Sequence, residues 1–178
     1  MSTTIDGSAG VTTPSGAIYN GIASGTAVAS TSGTAILFTG IPSWAKRITV
    51  MFNGVSKSGT SAYLVQIGSG SVTSSGYASA AVTIQTGTTS SSGTTSTAAY
   101  VVAEDVNSSA ETRTGTVMLN NISGNIWIET GSLTNSNASR LTQGSGSVTL
   151  SGAIDRVNIT SSNGTETFTA GSINILYE

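Results

Sequence analysis

The sequence has no cysteine and no histidine, and it carries few charged side chains. The absence of cysteine and histidine excludes a Ser-His-Asp triad, a Cys-His pair, a thiolate or imidazole zinc site, haem ligation and disulfide bonds. Only 8% of the 178 residues are charged, against about a quarter in a typical soluble chain. Six basic and eight acidic residues give a net charge of −2, so there is no basic stripe to bind nucleic-acid phosphates.

Long apolar segments are missing as well. No run approaches the about 18 consecutive apolar residues that indicate a membrane-spanning helix, and residues 1–7 lack the charged and apolar regions of a signal peptide. The sequence therefore predicts a chain that neither inserts into a membrane nor is exported through a signal peptide. It also indicates no cofactor.

What the chain has instead is hydroxyl groups and a two-residue apolar period. Serine and threonine make up about a third of it, beside 22 glycines. Ile48, Val50 and Phe52 alternate with more polar residues, which indicates a half-buried strand. The same period recurs at Val117 and Leu119, Ile126 and Ile128, Val148 and Leu150, Val157 and Ile159, and Ile173 and Ile175. No segment has helical spacing over three turns, so we expect essentially no helix.

Dipeptides that end in glycine predict tight turns between these strands. They are Asn53-Gly54, Ser58-Gly59, Ser92-Gly93, Ser123-Gly124 and Asn163-Gly164. Short strands and turns indicate an all-β fold, and we expect an antiparallel, jelly-roll-like β-sandwich. Residues 25–178 are predicted to form one module with loops at 86–97, 104–114 and 133–146. Residues 1–24, rich in Gly, Ser and Thr, are predicted to be an extended N-terminal arm.

Two segments carry a family resemblance. They are FTGIPSWAKRITVMFNGVS at residues 38–56, and the ending that comprises DRVNIT at 155–160 and NGTETFTAGSINILYE at 163–178. Together they resemble a module at the C-terminus of tail-fibre and other virion proteins of tailed bacteriophages. The resemblance covers residues 25–178, although residues 68–114 match nothing specific.

The resemblance implies a non-enzymatic virion structural protein, β-rich and homotrimeric, made in the bacterial host and assembled into the particle. A tail-fibre or tail-tip component that binds host-surface glycan is the first expectation. The alternative is a capsid decoration or cement protein (a head fibre) that stabilises the head through its N-terminal arm. The shortness of that arm favours this alternative. A depolymerising enzyme is a third possibility, and it would need a pair of carboxylates at glycosidase separation.

Aromatic rings are the usual platform for sugars, so they are the candidate glycan or partner contacts. If Ile126 and Ile128 face the core, the indole of Trp127 faces outward; the opposite interpretation is a buried layer or a subunit interface. Tyr77 and Tyr100 flank the region richest in predicted loops. Trp44 precedes a strong strand and is interpreted first as a plug over the end of the sandwich.

Two other groups of residues have a predicted role. Ile5, Asp6, Val11 and Pro14 are the candidate attachment residues of the arm, which would contact other virion proteins. Glu104 and Asp105 are the one adjacent acidic pair, and such oxygens can bind Ca²⁺, but a solvated loop is the simpler interpretation.

Lys57 lies between Ser56 and Ser58, a pattern that also occurs in Ser-Lys nucleophiles. In a chain so rich in hydroxyls, chance explains it.

Overall fold

The computed structural model describes the backbone of residues 4–6, 10–12 and 18–19, and describes residues 21–89, 91–104, 108–136 and 139–178 in full. These residues form strands and turns and contain no helix, as expected from the sequence, and therefore no helix that could span a membrane. The strands in chain order are β1 (Thr4–Asp6), β2 (Gly10–Thr12), β3 (Ile18–Tyr19), β4 (Ala23–Ser24), β5 (Val28–Ala29), β6 (Ala35–Thr39), β7 (Arg47–Lys57), β8 (Tyr63–Ser69), β9 (Ser71–Val72), β10 (Ala78–Gln85), β11 (Ser91–Ser96), β12 (Tyr100–Ala103), β13 (Arg113–Ser123), β14 (Ile126–Asn135), β15 (Arg140–Thr149), β16 (Arg156–Ser161) and β17 (Phe168–Tyr177).

The strands form three antiparallel sheets. A nine-stranded sheet has the order β11-β10-β15-β14-β13-β7-β17-β4, with β5 also paired to β17. A five-stranded sheet has the order β12-β8-β16-β6, with β9 paired to β8. A separate three-stranded sheet has the order β1-β2-β3.

The core lies between the nine-stranded and five-stranded sheets. Val50 of β7 and Val117 of β13 come from the larger sheet, Val65 of β8 and Ile159 of β16 come from the smaller one, and all four belong to one buried apolar cluster. Burying one such side chain contributes about 1.5–3 kcal/mol. The two sheets are therefore held face to face, which confirms the predicted all-β, antiparallel and sandwich-like fold.

The alternation seen in the sequence sets most of this core. Ile48, Val50 and Phe52 are buried, as predicted, while Arg47 and Thr49 are not. The predicted inward residues of β13, β16 and β17 are buried in the same way. A strand with one apolar face buries that face whenever a second sheet covers it.

Two of the predicted loops are largely strands. β11 occupies residues 91–96 of the predicted 86–97 loop, and β14 and β15 extend into the predicted 133–146 loop from both sides. Ser92-Gly93 lies within β11 and Asn53-Gly54 within β7, so neither is a hairpin turn. β11 and residues 142–147 of β15 contain only polar residues and glycine on both faces, so the pairing of these segments follows from the neighbouring strands.

The N-terminal residues join the fold in part. β4, at the end of the predicted 1–24 arm, pairs with β17 through Ala23 and Ser24. Of the candidate attachment residues, Ile5 pairs with Val11 in the backbone register of β1 and β2, and Asp6 belongs to β1. The side chains of these three residues, and Pro14 entirely, lie outside the described residues.

β7 and β17 pair along most of their lengths and are interrupted by a bulge. Gly171 of β17 has a φ of +89°, and a Cβ atom there would lie 2.4 Å from the carbonyl oxygen of Gly54 in β7. The register shifts between Ala170 and Ser172. Glycine is therefore favoured at position 171 for two reasons, the positive φ and the close approach of the Gly54 carbonyl oxygen.

A matched pair of substitutions tests this bulge. Gly40 also has a positive φ, +74°, but a Cβ atom there would meet nothing within 4 Å. We expect Gly40→Ala to lower the free energy of unfolding by about 1 kcal/mol from backbone strain alone. Gly171→Ala should lower it by roughly 3 kcal/mol, because overpacking adds to the strain. Urea unfolding measures both values, and equal losses would contradict the close approach.

Candidate functional site

The indole of Trp127 faces the core, so the prediction that it faces outward is wrong. Trp127 is 2% exposed, whereas Ile126 is 39% exposed on the opposite face of β14. All three consecutive residues are apolar, so the sequence allows either phase, and the larger ring takes the interior. A ring buried this way cannot stack on a sugar.

Tyr77 and Tyr100 are buried too, which makes them core residues and not glycan contacts. Their rings meet edge to face with centroids 4.9 Å apart. The Tyr100 hydroxyl donates to the carbonyl of Trp127 at 3.0 Å, and the Tyr77 hydroxyl accepts from the amide of Ile67 at 2.9 Å. Tyr77 and Tyr100 therefore form an aromatic pair in the core, and the Tyr100 hydroxyl links β12 of the smaller sheet to the backbone of β14 in the larger one.

Trp44 is the one aromatic candidate that reaches the surface. It is 40% exposed and lies in the turn closed by the Ala45 amide donating to the carbonyl of Pro42. Its ring packs against Tyr177 of β17, with centroids 5.8 Å apart and planes tilted by 53°. This position near the end of the sandwich leaves part of the indole open for contact.

Two adjacent depressions lie at this end of the sandwich. One, of about 550 Å³, is lined by Gly21, Ile22, Lys46, Arg47, Asn120, Asn121 and Glu178. The other, of about 220 Å³, is lined by Ser43, Ala45, Lys46, Asn121, Gly124, Asn125, Trp127, Ala153 and Ile154. They share Lys46 and Asn121, and we call the continuous depression the Lys46 groove.

Hydrogen bonds fix the walls of the Lys46 groove. The Lys46 ammonium donates to the side-chain oxygen of Asn121 at 3.2 Å, and the Asn121 amide donates to the carbonyl of Gly124 at 2.9 Å. Arg47 forms an ion pair with Glu178. The backbone amides of Lys46 and Arg47 also donate to the Glu178 carbonyl, at 2.7 and 2.8 Å.

The groove therefore presents amide, hydroxyl and ammonium groups on a rigid frame. Such groups exchange hydrogen bonds with polyhydroxylated ligands such as sugars. Asn120, Asn121 and Asn125 drew no attention in the sequence, because asparagine in a hairpin is ordinary turn chemistry. Only the pairing of β13 with β7 brings them beside Lys46.

A buried carboxyl group lies on β14, two residues after Trp127. Glu129 of β14 is 1% exposed, and neither of its carboxyl oxygens has a hydrogen-bond partner. Burial raises the pKa of Glu129 to about 8. The group is therefore protonated in the folded protein at neutral pH.

Two paired glycines make room for the Glu129 carboxyl group. Gly131 of β14 lies opposite Gly144 of β15. A Cβ atom on Gly131 would lie 3.1 Å from a carboxyl oxygen of Glu129, and one on Gly144 would lie 2.5 Å from the carbonyl oxygen of Val101. The absence of these two side chains lets both the carboxyl group and β12 fit against the larger sheet.

A second polar cluster contains Lys57, which is 1% exposed. Its ammonium forms an ion pair with Glu166 and lies 4.8 Å from the centre of the Tyr63 ring. Burial lowers the pKa of Lys57, and Glu166 opposes that shift. Burial alone would raise the pKa of Glu166, but hydrogen bonds from Lys57 and Ser61 outweigh it and hold that pKa at about 2.

This cluster does not have the arrangement of a Ser-Lys nucleophile. The Lys57 ammonium lies 3.4 Å from the hydroxyl oxygen of Ser61. The Ser56 hydroxyl is hydrogen-bonded to Thr169 and the Ser58 hydroxyl to the Thr167 amide. The Lys57 ammonium is paired with Glu166 and packs over the Tyr63 ring, so in this arrangement the lysine is an ion-pair partner.

The acidic pair is only partly described. Glu104 is 6% exposed, and a carboxyl oxygen accepts a hydrogen bond from Ser92 at 3.3 Å. Asp105 lies outside the described residues. In the part of the chain that the structure describes, no three acidic side chains gather in positions to hold a metal ion.

Comparison with protein-family models, with curated proteins and with solved structures finds no match for this chain.

Replacing Glu129 with glutamine keeps the shape of the side chain and removes its ionisation. The folded-state pKa of about 8 lies above the ordinary value of 4.5. The wild-type protein therefore loses up to about 1.4 kcal/mol of stability per pH unit as the pH rises between these values. We expect Glu129→Gln to match wild type below this range and to be more stable above it, as measured by urea unfolding across the range.

Thr130→Val is the matched control, because Thr130 follows Glu129 on the same strand and is exposed. Its stability should fall with pH as that of the wild type does. Identical pH profiles for Glu129→Gln and the wild type would show that the carboxyl group is not buried as described.

Proposed function

We propose that the chain is a non-enzymatic structural protein of a bacteriophage virion, acting as a tail-fibre or tail-tip component that contacts host-surface glycan. The observation that carries this proposal is how the two segments that resemble phage virion proteins come together. β7 from the first segment pairs with β17 from the second over Ile48 to Ser56. The two segments also contribute Lys46 and Glu178 to the same groove.

The fold supports the finer architecture in this proposal. From β6 to β17 the chain crosses several times between the two sheets of the sandwich, and crossings of this kind are a feature that jelly-roll folds share. A homotrimer attached to the particle through residues 1–24 completes the proposed arrangement.

The chemistry of the Lys46 groove suits a neutral or weakly charged glycan. Asn120, Asn121, Asn125 and Ser43 supply amide and hydroxyl groups. Trp44 does not line the groove, but it is next to Ser43, which does, and its partly exposed indole offers an apolar surface for a pyranose ring beside the groove. Recognition of this kind depends on stacking and hydrogen bonds, which a chain with few charges can provide.

A capsid decoration or cement protein is the second candidate. The burial of Trp127, Tyr77 and Tyr100 favours it, because three of the four predicted ring contacts are unavailable to a glycan. In that role the protein would stabilise the head through its N-terminal arm.

Location in the virion tests the proposal directly. We expect antibodies raised against the chain to label the tail end of intact particles of the encoding phage in electron micrographs. Label over the head would overturn the tail assignment in favour of decoration. Particles that carry no label and contain none of the chain would overturn both assignments. The chain should carry no tag at Glu178, because the backbone of that residue is hydrogen-bonded to Lys46 and Arg47.

Substitution of Trp44 tests the glycan contact. We expect Trp44→Ala to weaken binding of the purified protein to host cells by about fivefold, the effect of losing one stacked ring. Leu37→Ala is the control, because Leu37 is 48% exposed on the five-stranded sheet. Equal binding by both variants, with unchanged thermal unfolding, would contradict a contact at Trp44.

A further inference from the structure

We infer that copies of this chain associate through the outer face of β10, β11, β13, β14 and β15, which we call the uncharged face. The five strands are neighbours at one end of the nine-stranded sheet. The inward residues of β10, β13, β14 and β15 include buried ones, β11 at the edge has none, and the outward residues of all five strands have no second sheet over them.

The uncharged face is free of ionisable side chains. The charged residues of these five strands are Arg113, Glu129 and Arg140, and all three stand at positions that alternate with the outward ones. The nearest outward charge is Arg47 on β7, which is already paired with Glu178. Two copies can therefore meet here without like-charge repulsion and without burying an unpaired charge.

Apolar side chains project from this face. Val82, Ile84, Met118, Ile126 and Leu141 are between 37% and 50% exposed. Ile84 and Leu141 are direct cross-strand partners and form one ridge. Covering these side chains removes apolar surface from water, which favours association.

The same face also contains a trough that can receive such side chains. Two shallow depressions, of about 450 and 540 Å³, share Ala80 and Ser145 and so run together along β10 and β15. The backbone of Gly131 and Gly144 lines one of them. Met118 lies on the same cross-strand row as Ala80 and Ser145. A projection and a trough on one face make the surface complementary to a second copy of itself.

The size of the face matches that of a stable interface. The five strands are 6 to 11 residues long, and at a spacing of about 4.8 Å they outline roughly 700 Å² before the relief of the side chains is added. Stable interfaces bury about 800 Å² of accessible surface on each partner. The accessible area of a corrugated face exceeds its outline, so the uncharged face is large enough to hold an oligomer together.

This inference rests on the proposed function only for the number of copies: two copies would meet through the same part of the face, and three copies around a three-fold axis would each use two different parts of it, one toward each neighbour. The test is sedimentation velocity and light scattering on the full chain and on three variants. Val82→Lys and Met118→Lys place a charge on the uncharged face. Leu37→Lys places one on the outer face of the five-stranded sheet, where Leu37 is 48% exposed. Circular dichroism and thermal unfolding establish that each variant is folded.

We expect the wild-type chain and Leu37→Lys to form the same oligomer. Folded Val82→Lys and Met118→Lys should associate on the order of 100-fold more weakly, because each interface buries an unpaired charge from each copy. The inference is overturned if the lysine variants assemble like wild type, or if Leu37→Lys dissociates as they do.

A wild-type chain that stays monomeric at every concentration also overturns the inference. If that monomer binds capsids and Val82→Lys does not, the face docks on another virion protein instead. If the chain is monomeric and the particles are labelled, the proposed function stands and the inference fails. An oligomer that Val82→Lys disrupts, with no chain in the particles, would leave the inference standing without the function.

Discussion

The alternation of side chains along β14 determines which groups of this strand are buried between the two sheets. A strand that turns Trp127 inward must also turn Glu129 inward, because side chains two positions apart share a face. The structure accommodates the carboxyl group by leaving Gly131 and Gly144 without side chains beside it and by keeping it protonated. The burial of Trp127 is thus coupled to the burial of an acid, and that acid lowers the stability of the fold as the pH rises from its ordinary pKa of 4.5 to its folded-state pKa of about 8.

Much of the fold follows from local pattern, and the part that does not has a physical reason. Strands such as β7 show clear alternation, so their inward residues can be predicted. β11 contains only Ser, Thr and Gly, and its pairing with β10 supplies an order that its own sequence does not indicate. The phase of β14 is ambiguous because Ile126, Trp127 and Ile128 are all apolar. The Lys46 groove depends on long-range pairing of β13 with β7, which alternation along one strand cannot reveal.

Charge is distributed unevenly over the molecule, and this bears on how it meets partners. Lys57, Arg113 and Glu129 are buried in the sandwich, the first two in ion pairs and the third as a neutral acid. The outer face of five neighbouring strands has hydroxyl, amide and apolar groups only. Charged side chains do reach the surface at the Lys46 groove, where Arg47 and Glu178 form an ion pair. A broad face suited to association and a polar end suited to small ligands are thus separate surfaces.

The pairing of β7 with β17 sets the order in which the chain can fold. Their partners are 111 to 129 residues apart in sequence, from Phe168 with Lys57 to Tyr177 with Ile48. Until β17 is synthesised, one edge of β7 has no permanent partner, and its apolar residues are available to other chains. Contacts this distant in sequence slow folding, and open strand edges promote aggregation. Production of this protein should therefore be sensitive to the rate of translation and to the supply of chaperones.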